Sequence, residues 1–286
     1  MLRNKKYKKH SSTNADYWDS RDWDASADPQ ERERLQKLHA KRIAFQAIFG
    51  KVNSAISGRE VPLKFSRPNG WEWNDRGDNE APAWTDGETI FMNTVHFDKV
   101  VGESIEAKNT VSIINDLISM KGLNYHELAH VMFTPRNGQK PTSTIAKRAR
   151  SEDFGIWHAY NVLEDQRIET LFSARFPIAA QYFTVTVNQF IVAVAQGRVG
   201  YEGEANRTGK NQQFANMHLL LHGRKYLPKK IRKAAREAFV SYHSVEDALL
   251  LEGLIDEYRK LAFPRNQKRA VEIVLEFYKW IDTQRQ

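Results

Sequence analysis

Hydrophobic residues recur every three to four positions over much of the chain, which is the spacing of amphipathic helices. The pattern predicts a first helix from Pro29 to about Ser57, because proline fits the first turn of a helix and Gly58 fits its end. Turn-rich stretches then separate short extended pieces at residues 61–65, 71–73 and 89–93. We therefore expect a small sheet after the first helix.

The same periodicity predicts two longer helices in the middle of the chain. The first covers residues 110–133 and ends before Thr134-Pro135, because the residue before a proline is pushed out of the helical conformation. The second covers about 152–176 and ends before Pro177. The other segments are a loop or short helix at 136–150, a helical or partly buried stretch at 178–196, a polar linker at 197–211, and about three helices after it. This order predicts an α+β fold with an all-α C-terminal region.

The helix at 110–133 contains the sequence HELAH. His126 and His130 lie one turn apart on the same helix face, so both imidazoles can bind one ion. Glu127 lies beside the first histidine, a position that suits a general base acting on a metal-activated water. Apolar residues surround the three on nearly every side, which predicts a buried helix. The alternative is an ordinary packed helix in which the histidines pair with Glu127.

A catalytic zinc usually takes three protein ligands, and the helix at 152–176 offers two adjacent acids for the third. Glu164 falls on the apolar face of that helix, whereas Asp165 is rotated away by about 100°. We predict Glu164 as the ligand and Asp165 as an outer partner that orients a ligand histidine. The alternative for Glu164 is a salt bridge with Arg167 or Arg150. Further outer partners or oxyanion donors are predicted at His158, Tyr160 and Asn161.

HELAH and NVLEDQRIE, with 33 residues between His130 and Glu164, together resemble the gluzincin-type metallopeptidases of the CobT-like, phage-encoded kind. These proteins often lie beside von Willebrand A-like domains. AWTDGETIFMN, at residues 83–93, is similar to the strand before their active helix, on which a peptide docks by strand addition. The resemblance covers roughly residues 60–175. It implies a zincin-like core, one zinc ion at His126, His130 and Glu164, and Glu127 as general base in peptide hydrolysis. The chain contains no recognisable von Willebrand A half, so such a domain, or a virion protein, is an expected partner.

The composition narrows these expectations. The 286 residues, 41% of them hydrophobic, suffice for one sizeable core or one core with a helical annex. Cysteine is absent, so a metal must be held by His, Asp or Glu. The net charge of +8 favours an acidic partner such as nucleic acid. No apolar run approaches the roughly 20 residues of a membrane span, and no signal peptide is evident, which predicts a cytoplasmic protein, or a virion protein if phage-encoded, without a membrane partner.

Two features lie outside the HELAH region. Lys229, Arg232, Lys233 and Arg236 recur at helical spacing and form a basic stripe, which predicts either binding of nucleic acid or another polyanion, or a plain solvated face. A second pair, His218 and His222, is also one helical turn apart. It predicts either a second metal site or, with better support, a packed helix with polar edges.

The predicted organisation is a flexible charged arm at 1–28, a zincin-like catalytic domain at 29–196 and a helical region at 212–286. The leading functional hypothesis is a zinc-dependent peptidase. The second is a DNA-associated metalloprotease with a role like that of SprT-like enzymes. The third is a non-catalytic, zinc-stabilised structural or interaction protein of a phage.

Overall fold

The structure is a computed structural model that describes residues 28–66, 81–106, 110–136, 138–192 and 215–284, with the side chains of 103–106 and 110–116 not described. Its elements are α1 (Pro29–Ser57), β1 (Leu63–Ser66), β2 (Ala83–Thr85), β3 (Ile90–Asn93), α2 (Thr94–Glu106), α3 (Thr110–Phe133), α4 (Thr142–Ser151), α5 (Gly155–Arg175), α6 (Ala179–Val187) with a π-helical turn at Asn188–Val192, α7 (residues 215–221), α8 (Lys229–Tyr242), α9 (Val245–Tyr258) and α10 (Gln267–Thr283). The chain is therefore α+β, with a small sheet and a helical C-terminal region.

Both ends of α1 follow from local sequence. The Asp28 carboxylate accepts a hydrogen bond from the Gln30 backbone N–H at 2.9 Å, which caps the first turn ahead of Pro29. Gly58 ends the helix with φ at 71°, a left-handed conformation that glycine adopts at no steric cost. The predicted bounds of this helix are confirmed.

Three short strands form a sheet in the order β1-β3-β2, with β1 parallel and β2 antiparallel to β3. Ile90 and Met92 of β3 are fully buried beneath the helices. The predicted extended piece at 89–93 is confirmed as β3, and the stretch at 83–93 that resembles one strand contains two, separated by a turn in which Gly87 has φ at 91°. The predicted piece at 71–73 lies outside the described residues, as do residues 1–27 of the predicted arm and the predicted linker at 197–211.

Helix α3 lies at the centre of the molecule and contacts β2, α2, α5 and α6. Two features fix its position. Asn124 exchanges reciprocal amide hydrogen bonds with Asn53 of α1, at 2.7 and 2.9 Å, and both side chains are fully buried. Gly122 lets α6 approach closely, because a Cβ at this position would collide with the Thr186 hydroxyl and the Tyr182 carbonyl oxygen. His126, the first histidine of HELAH, follows one turn later.

The C-terminal helices pack on α5 rather than forming a separate core. One hydrophobic cluster joins α4 and α5 to α8, α9 and α10, through residues such as Leu163, Phe239, Tyr258 and Phe277. A second cluster joins α1, the sheet and α3 to the far half of α5. Helix α5 thus contributes to both cores. Within the described part of the chain, no helix is both long and apolar enough to span a membrane.

Candidate metal centre

Helices α3 and α5 bring three ligand atoms together. His126 and His130 project from adjacent turns of α3, with ring centroids 4.9 Å apart. The Asp165 Oδ1 atom of α5 lies 3.7 Å from His126 Nε2 and 3.2 Å from His130 Nε2. In a tetrahedral zinc site with bonds of 2.0–2.2 Å, ligand atoms are about 3.3 Å apart. These three side chains therefore fit one metal ion with little rearrangement.

The His126 ring is oriented by a buried carboxylate. Its Nδ1 atom lies 2.8 Å from Glu169 Oε1, and an ionised carboxylate can only accept. Nδ1 therefore donates its proton to Glu169, so in the neutral ring the Nε2 lone pair is the one that can bind a metal. Glu169 is itself held by Arg224, at 2.7 and 2.9 Å, and by the Tyr226 hydroxyl at 2.6 Å. Both residues come from the segment between α7 and α8.

The His130 ring is oriented by a chain of hydrogen bonds. The Thr134 hydroxyl donates to Glu164 Oε1 at 2.7 Å, which uses its only proton. The Thr134 Oγ1 atom lies 2.9 Å from His130 Nδ1. Because its own proton is already used, this oxygen must accept the hydrogen bond from the ring. His130 therefore also offers its Nε2 lone pair to the metal side. Thr134 is the residue that ends α3 before Pro135.

The prediction of Glu164 as the third ligand needs correction. Glu164 is fully buried, and its oxygens accept from Arg167 at 2.7 and 2.8 Å, from Thr134, and from the Tyr258 hydroxyl at 3.1 Å. With its lone pairs occupied by these donors, it lies outside the group of ligand atoms. The alternative of a salt bridge with Arg167 is the arrangement observed.

Glu164 and Asp165 lie in the reverse of their predicted positions, since Asp165 lies beside the histidines and Glu164 does not. The step of about 100° between neighbouring helical residues turns Glu164 toward α9 and turns Asp165, whose side chain is 28% exposed, toward the open side. The apolar pattern correctly marked Glu164 as buried, but the three candidate ligand side chains are partly exposed and lie at the rim of the core. The predicted orienting role of Asp165 belongs to Glu169, which sequence reasoning missed. Its position one turn after Asp165 on α5 was the available signal.

Charge pairing sets the protonation of the site. Burial alone would lower the pKa of His126, but the charges of Asp165 and Glu169 outweigh it and raise this pKa to about 9. Burial would raise the pKa of Asp165, yet the two histidines hold it below its usual range. The pKa of Glu169 is lowered in the same way, against burial, by Arg224 and His126. Asp165 and Glu169 are therefore ionised, and a metal ion bound here would displace the Nε2 proton of His126.

Glu127 lies at a cavity of about 280 Å³ that the three ligand side chains also line. Burial raises the pKa of its carboxyl group, while the two histidines partly offset this effect. The cavity is bordered by β2 through Ala83, Trp84 and Thr85. Among the described residues, β2 pairs with β3 alone, so its other side is an edge. An extended chain in the cavity could therefore lie beside a free strand edge.

Two of the three predicted outer residues line this cavity. The Tyr160 hydroxyl lies 2.8 Å from Thr142 Oγ1, which in turn donates to the Pro135 carbonyl, so the tyrosine proton is directed at Thr142. Asn161 also lines the cavity, and its side-chain amide donates a hydrogen bond to none of the described residues. His158 is exposed and packs its ring on Phe154, 5.1 Å away, outside the lining of the cavity.

A second group in the described part of the chain could also hold a metal, formed by His218, His222 and Glu252. Here one cation already pairs with the shared carboxylate, and another lies beside His222. Arg236 Nε donates to Glu252 Oε1 at 2.7 Å, and Lys225 Nζ lies 3.2 Å from His222 Nε2. These positive charges disfavour a metal ion. The first group contains no such competitor at its Nε2 atoms.

The basic stripe on α8 is partly neutralised by acids. Arg236 pairs with Glu252, and Lys233 lies 3.6 Å from Glu237. Arg232 donates to the Leu227 carbonyl at 3.3 Å, while Lys229 is exposed. The stripe is thus less charged than its sequence indicates.

Comparisons of the chain with protein-family models, with curated proteins and with solved structures found no match.

Proposed function

We propose that the protein is a zinc-dependent peptidase with a zincin-like site, in which His126, His130 and Asp165 hold the metal. The observation that carries this proposal is the convergence of the three ligand atoms beside a buried glutamate, within a cavity bordered by a strand edge. Two imidazoles and one carboxylate form a donor set that zinc prefers. Three protein ligands leave one coordination position for chemistry, whereas structural zinc sites usually have four.

A zinc ion held by these ligands would polarise a peptide carbonyl and lower the pKa of water toward about 7. Glu127 is placed to accept the proton of the attacking water and to pass it to the leaving amine. The buried carboxylate lines the same cavity as the three ligands, which supports this role because a general base must lie within reach of the proton that it abstracts. Glu169 and Thr134 keep the two histidines in the required tautomer.

The remaining needs of peptide hydrolysis also have donors in the cavity. The amide of Asn161 is available to stabilise the oxyanion, whereas the hydroxyl of Tyr160 is committed to Thr142. The edge of β2 that none of the described strands pairs with offers backbone groups to an extended peptide, which supports binding by strand addition. The substrate class that fits is therefore a peptide or an extended segment of a protein.

The test of this proposal is the substitution Glu127→Gln. We expect the variant to bind one zinc per chain, as measured by mass spectrometry, and to cleave a proteome-derived peptide library at least about 100-fold more slowly than wild type. Glu88→Gln is the matched control, because Glu88 is exposed in the turn between β2 and β3. It should cleave at the wild-type rate.

Three results would distinguish the hypotheses. Cleavage by zinc-loaded Glu127→Gln at the wild-type rate would refute the proposed role of Glu127. Bound zinc with no cleavage by the wild type would instead favour a non-catalytic, zinc-stabilised protein. A wild type prepared without chelators that contains no zinc would refute the metal site itself.

A further inference from the structure

A groove of about 720 Å³ lies beside the cavity of the metal site and shares a wall with it. The shared residues, Val131, Thr134, Pro135 and Arg136, belong to the end of α3 and the loop after it. A chain that occupies the cavity would reach the groove by passing over these shared residues. The residues bound there would lie a short distance from the bond to be cleaved.

The lining of this groove is positively charged. It contains Arg59, Arg136, Lys140 and Arg175, and none of the described residues that line it is Asp or Glu. Within the described part of the chain, none of these four cations forms an ion pair, in contrast to the buried Arg167 and Arg224. The groove thus presents positive charge that the protein does not neutralise.

Arg59 is the most firmly placed of these cations. Its Nη2 donates to the Gly87 carbonyl at 2.9 Å and to the Val131 carbonyl at 3.0 Å, which fixes the guanidinium between the β2–β3 turn and α3. Its remaining N–H groups find no acceptor among the described residues. A fixed guanidinium with free donors is well suited to bind a carboxylate.

The groove also has apolar surface. Met132, Phe133, Phe263 and Pro264 contribute to its lining. A ligand that uses both surfaces must combine carboxylates with apolar groups. A peptide with acidic residues meets both requirements, whereas a small inorganic anion meets only the first.

We propose that this groove binds acidic residues of the substrate, on one side of the cleaved bond, and so selects acidic peptides. This inference rests on the proposed peptidase function. A phosphate backbone fits less well, because the adjoining cavity contains Asp86 and Glu127, which are not ligands of the proposed metal ion and whose charges would repel phosphates that continue into it. The residues next to the cleaved bond should be uncharged for the same reason.

The experiment measures binding separately from cleavage, with the full chain as zinc-loaded Glu127→Gln. The probes are a fluorescein-labelled peptide rich in glutamate and its counterpart with glutamine in place of every glutamate. Fluorescence polarisation should give about tenfold tighter binding of the glutamate peptide at low salt, since charge-assisted hydrogen bonds are stronger than those between neutral groups. The difference should shrink as salt is added.

A pair of double variants locates the effect. Lys140→Ala/Arg175→Ala removes two of the four groove charges, both exposed, and should weaken the preference for glutamate while Arg59 and Arg136 remain. Lys51→Ala/Lys279→Ala removes the same charge at exposed positions outside the groove and should retain it. Equal loss in both variants would show a general electrostatic effect and overturn the assignment of the groove.

The outcomes separate this inference from the proposed function. Equal affinity of the two peptides overturns the acidic groove, even if wild type cleaves the library. Preference for glutamate that depends on Lys140 and Arg175 supports the groove, even if wild type cleaves nothing and the peptidase proposal fails. If a single-stranded oligonucleotide displaces the peptide at lower concentration than unlabelled glutamate peptide, through the same two residues, the site is a nucleic-acid site and the acidic-peptide assignment is wrong.

Discussion

At the scale of single residues, the metal centre depends on which of two adjacent acids faces the histidines. Asp165 faces them, and Glu164 faces Arg167 and Tyr258. Helical spacing could predict that both acids lie near the site. It could not predict their roles, because Tyr258 lies 94 residues from Glu164 in the sequence. The competing donors on Glu164 become apparent only when the chain is folded.

The two acids should therefore respond differently to the loss of charge. Asp165→Asn should lose zinc while remaining folded, because its side chain is partly exposed and an amide is a poor zinc ligand. Glu164→Gln should retain the three ligands but lose stability, by about 3 kcal/mol or more, because the buried Arg167 loses its charge partner. Zinc content and urea unfolding measure the two effects.

Each variant serves as the control for the other, since both replace an acid by its amide at neighbouring positions of α5. Zinc lost from Glu164→Gln but kept by Asp165→Asn would restore the original assignment of Glu164 as ligand. Equal destabilisation of both variants would show that the Arg167 pair has no special importance.

At the scale of elements, most helices could be predicted because their ends contain strong local signals. Proline follows α3 and α5, and Gly58 follows α1, so these ends were placed within about a residue or two. Helix α2 was missed because it begins directly after β3, without glycine or proline. Its signal was the Asn93 side chain, which accepts from the Val95 N–H at 3.0 Å as a helix cap.

The position of α3 depends on the absence of a side chain at Gly122. Gly122→Ala should destabilise the protein by about 1–3 kcal/mol and weaken zinc binding, because the added methyl group would push α3 and α6 apart one turn before His126. Thermal unfolding and zinc titration measure this. Gly253→Ala in α9 is the matched control, since nothing lies within 4 Å of the added carbon.

The control should be neutral or stabilising by up to about 1 kcal/mol, because alanine favours the helix over glycine. If Gly122→Ala behaves like Gly253→Ala, then α3 and α6 can separate without cost, and the close approach does not position the metal ligands.

At the scale of the whole molecule, the C-terminal helical region supplies side chains that support the candidate metal centre. Arg224 and Tyr226 hold Glu169, which orients His126, and Tyr258 of α9 holds Glu164. The sequence predicts these helices but not this connection, because Arg224 lies 55 residues from Glu169 and helical periodicity describes only local spacing. Stability of the C-terminal region should therefore influence the site.

Acid should weaken that region through His218, which contacts Glu252 at 2.9 Å and lies near His222 and Arg236. Burial is the main cause that lowers the pKa of His218 from 6.5 to about 4, with Glu252 opposing it. The unfolded chain therefore binds a proton at this residue at a higher pH than the folded chain does. The contribution to stability is complete above pH 6.5 and is lost as the pH falls toward 4.

The prediction is tested by comparing wild type with His218→Gln, whose amide can keep a hydrogen bond to Glu252 without titrating. In the presence of a chelator, the Tm of wild type should fall more steeply than that of the variant between pH 6.5 and 4. Each kcal/mol of lost stability should lower Tm by roughly 2–4 °C in a chain of this size. Other acids titrate equally in both proteins and cancel in the difference. Parallel curves across this range would mean that His218 is not held neutral by burial, and that the packing of α7 against α9 differs from the one described.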